Sequence, residues 1–94
     1  MHHLFIINPH AGKKKSTRLL ERNIHALDAP CETVFTKQAG DARRVARMAA
    51  ETGREVRLYA CGGDGTLNEV VNGAAGFANA AVTNVPIGTG NDFL

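Results

Sequence analysis

An α/β fold built on a parallel sheet is predicted by three features of this chain. Short apolar runs alternate with amphipathic stretches in the order β-α-β-α-β-α-β, the links between apolar runs are too long for hairpins, and Gly- or Pro-marked turns recur at the ends of those runs. The 94 residues, 44% of them hydrophobic, suffice for one small domain with a modest core.

Leu4 to Ile7 is an uninterrupted apolar run that stops at Asn8-Pro9, as a buried parallel strand does. Ser16 or Thr17 is placed to cap a first helix in which Leu20, Ile24 and Leu27 share a face, ending near residues 28–30. Thr33, Val34 and Phe35 supply a second strand. Asp41 is the expected N-cap of a second helix. There Ala42, Val45, Ala46 and Ala49 recur at i, i+3, i+4 and i+7, Arg43, Arg44 and Arg47 lie opposite, and Gly53 is the stop. A third strand is expected over residues 55–60. The third helix is expected from near Thr66, with Leu67, Val70, Val71 and Ala74 inward and Glu69 as a solvated surface residue. The fourth strand, residues 81–85, ends at Pro86 and the turn Gly88-Thr89-Gly90.

In parallel sheets of this kind, ligands sit beyond the carboxyl ends of the strands. That edge gathers four polar loops, residues 8–12, 36–40, 62–66 and 88–92. The most telling is Gly62-Gly63-Asp64-Gly65-Thr66 between a strand and a helix, where glycines reach positive φ cheaply and a helix end offers free N–H groups to phosphate. One charged contact at a helix end is worth about 0.3–1 kcal/mol, whereas millimolar nucleotide binding takes about 4 kcal/mol, so several donors and a metal must act together. Asp64 and Asp92 offer hard carboxylate oxygens for Mg²⁺, and Thr66 and Thr89 offer hydroxyls. Taken singly, each element has a plainer reading: a tight turn at 62–65, a helix cap at Asp64, a turn residue at Asn8, a cap in residues 88–92.

Other classes are excluded by spacing. AGKKKS is not a P-loop, because Ile7 stands where that motif needs its first glycine and Lys14 follows Lys13 where Ser or Thr is required. The dinucleotide fingerprint fails because Asn68 and Phe93 stand where its third glycine belongs. A net charge of +2 in short local groups gives no argument for nucleic acid. Lys13, Lys14 and Lys15 read first as a solvated run at a helix start and second as an attractor for nucleotide. No run has the length of a membrane span or the layout of a signal peptide. Cys31 and Cys61 form neither a zinc spacing nor a disulfide framework, which gives a cytoplasmic expectation, with Cys61 as a small buried residue at a strand end. His10 and His25 have no ligand spacing.

NPHAG at 8–12, GGDGTLNEVVNG at 62–73 and PIGTGNDF at 86–93 together resemble the catalytic domain of diacylglycerol kinases and related lipid kinases. The resemblance covers essentially the whole chain, in order and spacing. It implies an ATP-binding lobe in which Asn8, Pro9, His10, Ala11, Gly12, Thr36, Gly62, Gly63, Asp64, Gly65, Thr66, Leu67, Asn68 and Thr89 contact nucleotide. It also assigns Asp64 and Asp92 to a catalytic, magnesium-linked network near the phosphates. His10 departs from the small polar residue usual in the first motif. The family's second, β-rich lobe, with the acceptor-lipid cleft, a further metal site and a carboxylate base, has no counterpart here, so the chain is expected to be a fragment of a larger domain.

The expected activity of the intact protein is therefore transfer of the ATP γ-phosphate to a lipid hydroxyl, with ATP, Mg²⁺ and lipid as partners. Transient contact with the membrane surface is also expected, and a homodimer is allowed. The alternatives are an NAD kinase, whose family shares an NP-type start and GGDGT, and a nucleotide-binding module without catalysis. PIGTGNDF favours the lipid branch.

Overall fold

The computed structural model describes residues 1–11, 14–27 and 31–87, the side chains of residues 14–16 excepted. Its elements run β1 (His2–Ile7), α1 (Lys14–His25), β2 (Cys31–Phe35), α2 (Asp41–Glu51), β3 (Val56–Gly62), α3 (Asp64–Ala74) and β4 (Ala80–Pro86). The four strands form one parallel sheet in the order β2-β1-β3-β4. Ile6 of β1 stands between Val34 of β2 and Ala60 of β3, and Ala60 in turn pairs with Asn84 of β4. The predicted fold class is the observed one.

Strand alternation divides the core into two layers. Leu4, Ile6, Val56, Leu58 and Ala60 face Ala42 and Ala46 of α2 and Val70 and Ala74 of α3. Phe5, Ile7, Cys61 and Ile87 point to the other face, with Ile24 and Leu20 of α1. The division follows from crossover handedness. The step from β1 to β2 runs one way along the sheet and the later two steps run the other way, so connections of one hand must lie on opposite faces. Ile6, Ile7 and Leu58 are completely buried, each worth about 1.5–3 kcal/mol of apolar burial. Phe5 stacks on Tyr59 with ring centroids 4.1 Å apart and planes 6° from parallel.

Several boundaries differ from the sequence reading. Helix α1 begins at Lys14, so Ser16 and Thr17 fall inside its first turn, and Thr17 is buried there. The helix ends at His25, with Arg22 and His25 at its negative pole, which leaves Leu27 past the end and exposed. Asp41 is the first residue of α2; the N-cap is Gly40, held at φ 92°, a conformation that favours glycine. Gly53 does stop the chain after α2, at φ 79°. Strand β3 continues through Cys61 and Gly62, and α3 starts at Asp64.

Val71 of α3, expected inward, is 48% exposed, and Thr66 and Gly73 are buried in addition to Val70 and Ala74. The cause is the close approach of α2: a Cβ on Gly73 would fall on the carbonyl oxygen of Arg43 and lie 2.9 Å from Cβ of Ala46. The helix turns Gly73 toward its neighbour, and that rotation carries Val71 outward.

Candidate functional site

The chain leaves β1 toward one sheet edge and returns past it to β3, so the topological switch point lies between the carboxyl ends of β1 and β3. After β1 come residues 8–11, and after β3 the chain passes through Gly63 directly into the first turn of α3. Asn8 continues the ladder by donating its N–H to the Cys61 carbonyl at 2.9 Å. Its Oδ1 accepts the His10 N–H at 3.0 Å and its carbonyl accepts the Ala11 N–H at 3.1 Å, so the side chain shapes the turn after β1.

The neighbouring wall comes from β2. Thr36 donates its N–H to the Ile7 carbonyl at 2.9 Å, and its hydroxyl donates to the same oxygen at 3.4 Å. The loop that follows folds over the buried carboxylate of Asp41. There Oδ2 accepts the N–H groups of Lys37 at 2.8 Å and Gln38 at 3.1 Å, while Oδ1 meets Arg44 Nη2 at 3.1 Å. The Lys37 hydrogen bond, aided by Gln38 and Arg44, outweighs partial desolvation and holds the Asp41 carboxyl below its ordinary pKa.

Gly63, in extended conformation, is the N-cap of α3 and gives it no side-chain cap. Asp64 is the first helical residue and is exposed. The glycines of this turn do not adopt the positive φ expected of them. Among the described residues positive φ occurs at Gly40, Gly53 and Gly76, not at Gly62, Gly63 or Gly65. Gly62 is needed because a Cβ there would collide with Oγ1 of Thr66, whereas a Cβ at Gly63 or Gly65 would project into open space. What the last two provide is an unobstructed approach to backbone.

A crevice of about 300 Å³ results, lined by Asn8, His10, Thr36, Lys37, Gln38, Ala39, Ala42, Gly65, Thr66 and Glu69. It unites five of the residues singled out in the sequence, Asn8, His10, Thr36, Gly65 and Thr66, from the loops after β1 and β2 and the first turn of α3. Gly62, Gly63 and Asp64 precede Gly65 on the same turn. Pro9 is half-buried in the turn after β1. Leu67 packs into the core layer beneath α2 and Ala11 against the other layer. Asn68 accepts the side-chain amide of Asn72, at 2.8 Å through its carbonyl and 3.2 Å through Oδ1. Gly12, Thr89 and Asp92 lie outside the described residues. Among the described residues no three His, Cys, Asp or Glu side chains come together as a ready-made metal cage. A second concavity, about 340 Å³, lies at the amino edge of the sheet between Val34, Val45, Met48 and Val56, with His2 Nε2 2.9 Å from Glu32 Oε1 beside it. It contains none of the motif residues.

Glu69 is not the solvated residue expected from helical periodicity. Its carboxylate lies against the start of α2, accepting the Gly40 N–H at 3.1 and 3.2 Å and the Arg43 N–H at 3.3 Å. Period within one helix cannot reveal a partner on another. The only available hint was an acidic residue followed by no basic partner one turn on.

The molecule is thus an open parallel α/β domain with a polar crevice at its switch point, beside a helix start that carries no side-chain cap. By comparison with known proteins, the chain belongs to the diacylglycerol kinase catalytic domain family, whose profile matches residues 2–94. It is 45% identical over 92 residues to a diacylglycerol kinase of Staphylococcus epidermidis, covering 94% of this chain and 29% of the relative. It is 42% identical over 93 residues to a diacylglycerol kinase of Bacillus subtilis, covering 94% and 30%. Among solved structures, a diacylglycerol kinase of Bacillus anthracis superposes with a TM-score of 0.76 at 29% identity, over 98% of this chain and 35% of that one. The chain spans about three tenths of the length of these curated relatives. No helix among the described residues is long and apolar enough to cross a membrane.

Proposed function

We propose that this chain is the nucleotide-binding lobe of an ATP-dependent lipid kinase that phosphorylates the hydroxyl of diacylglycerol or a similar lipid. The observation that carries the reading is the start of α3: an uncapped helix end, entered through glycines with open space above them, beside the crevice at the switch point. In phosphoryl transfer the protein mainly positions its substrates and offsets developing charge. The N–H groups of the α3 first turn point toward an incoming polyphosphate and the Thr66 hydroxyl lies beside them, while Asn8 and Thr36 fix the opposite walls. Gly62, Gly63 and Gly65 keep side chains out of the way.

The donor chemistry here suits Mg²⁺, which takes hard oxygen ligands and retains several waters. Asp64, exposed in that first turn, would hold it, with Asp92, which follows β4 in the sequence, as a second carboxylate. A bound Mg²⁺ would supply neutralisation of phosphate charge. Gly12 and Thr89 belong to the same proposed contact set. Acceptor binding and the general base are assigned to the part of the protein beyond this lobe, as is transient contact with the membrane surface.

The test is phosphate transfer by the full-length protein from γ-labelled ATP with Mg²⁺, offered a total lipid extract in one tube and NAD in another. Label entering the organic phase supports the lipid kinase. Label in NADP transfers the chain to the NAD kinase branch and makes Asp64 a group acting on that substrate. Asp64→Asn is expected to abolish lipid phosphorylation while leaving the circular dichroism spectrum unchanged; wild-type turnover would reduce Asp64 to a structural residue. The 94-residue chain by itself is expected to transfer no phosphate to lipid.

A further inference from the structure

Gly40 caps α2 at φ 92°, a backbone conformation that side chains rarely tolerate, and a glycine brings no side chain with which to cap. The N–H groups of the first turn still require acceptors. Gln38 supplies one through its carbonyl, which accepts the Asp41 N–H at 3.2 Å. The acceptor for Gly40 and Arg43 comes from the following helix, where the Glu69 carboxylate receives both. These are the two N–H groups that a reciprocal cap within one helix would satisfy, here served from 29 and 26 residues away.

The contact crosses the crevice. Lys37, Gln38 and Ala39 line one side and lead directly into Gly40, whereas Gly65 and Thr66 line the other and lie one turn before Glu69. A hydrogen-bonded carboxylate between the two sets their separation. It also occupies the positive end of α2, so that of these two helix starts the α3 one is left without a side-chain cap.

We infer that Glu69 is a positioning residue for nucleotide binding, which fixes the residue 36–40 wall against the α3 start and directs the polyphosphate to α3. The inference rests on the proposed ATP reading. Its test uses the full-length protein with Glu69→Ala and Glu69→Gln, measuring KM for MgATP, KM for lipid, kcat and hydrogen exchange of the amides of residues 37–43. Glu69→Ala is expected to raise KM for MgATP about tenfold, the scale of losing hydrogen bonds to a charged group, with kcat and KM for lipid within about threefold of wild type. Exchange should quicken at Gly40 and Arg43 and stay unchanged in β1 and β3. Glu69→Gln keeps the oxygen equivalent to Oε1, which accepts both N–H groups, and should restore most of the affinity.

An unchanged KM for MgATP in Glu69→Ala overturns the inference, even if local exchange quickens. So does a variant whose exchange rises throughout the sheet, because Glu69 would then be a general stabilising residue. Wild-type protein that binds no MgATP overturns the nucleotide reading itself, an outcome separate from either of these.

Discussion

Gly73 and Gly65 lie in one helix and permit a paired test of how closely α2 and α3 approach. In an exposed helix interior, replacing glycine by alanine gains up to about 1 kcal/mol from the reduced entropy of the unfolded chain and better helix propensity. At Gly73 the new methyl would strike the Arg43 carbonyl oxygen and stand 2.9 Å from Ala46 Cβ. Since the first obstacle is backbone, no rotamer change relieves it and the helices must separate. Overpacking of this sort costs about 1–3 kcal/mol, and with a rigid obstacle the upper end applies. After subtracting the propensity gain, Gly73→Ala should lose about 2 kcal/mol, or about 10 °C in melting temperature for a domain of this size. Gly65→Ala adds the same methyl where nothing lies within 4 Å. It should be neutral or gain a few tenths of a kcal/mol, because propensity weakens in a first turn. Thermal unfolding followed by circular dichroism, with hydrogen exchange of the α2 and α3 amides, reads the pair. A Gly73→Ala protein as stable as Gly65→Ala would refute the packing described. The functional signs should reverse: Gly65→Ala intrudes on the crevice and should weaken MgATP binding despite its intact fold.

Two other expectations concern titrating groups. Because the folded-state pKa of Asp41 is lowered, its contribution to stability is complete above the ordinary carboxylate pKa of about 3.9 and is lost as pH falls through the lower folded value. Urea midpoints measured down an acid series should therefore fall more steeply in wild type than in Asp41→Asn, and equal slopes would count against the Asp41 network. Burial pushes the Cys61 thiol up to about 12, so at pH 8 on the order of one molecule in ten thousand carries the thiolate. Iodoacetamide should leave Cys61 unmodified in native protein and alkylate it after denaturation, as peptide mass mapping would reveal; labelling of native protein at Cys61 contradicts its burial.

Strand positions, helix order and the loops at the carboxyl edge were legible because apolar runs and glycine turns are local signals. Leu4 to Ile7 reads as a buried strand from four letters, and the burial of Cys61 follows from its place at a strand end. The family was legible because three motifs stand in order along the chain. What escaped depends on a second element. Helical period alone points Val71 inward, but the contact of Gly73 with α2 determines the rotation of α3. Asp41 resembles an N-cap by residue type, yet the chain reversal before it demands the positive φ of Gly40 and shifts the cap by one. Glu69 lacks any local sign of its partner. The glycines at 62, 63 and 65 stand out in the sequence, but their use depends on Thr66 and on open space, neither visible in a string of letters.

The placement of β1 and β3 at the centre of the sheet has a bearing on which parts of the site can drift. Each is hydrogen-bonded on both sides, so the turns they bear, at Asn8 and at the Gly63 helix start, move only if the whole ladder opens. The third wall issues from β2, which pairs on one side alone among the described residues. Thermal breathing should accordingly be concentrated in the wall of residues 36–40, and exchange protection should rank β1 and β3 above β2. The crevice is in this respect a fixed jaw formed by two inner strands and a looser jaw formed by one outer strand. The amplitude of the looser jaw is limited by the few bonds it makes to Ile7 and Glu69.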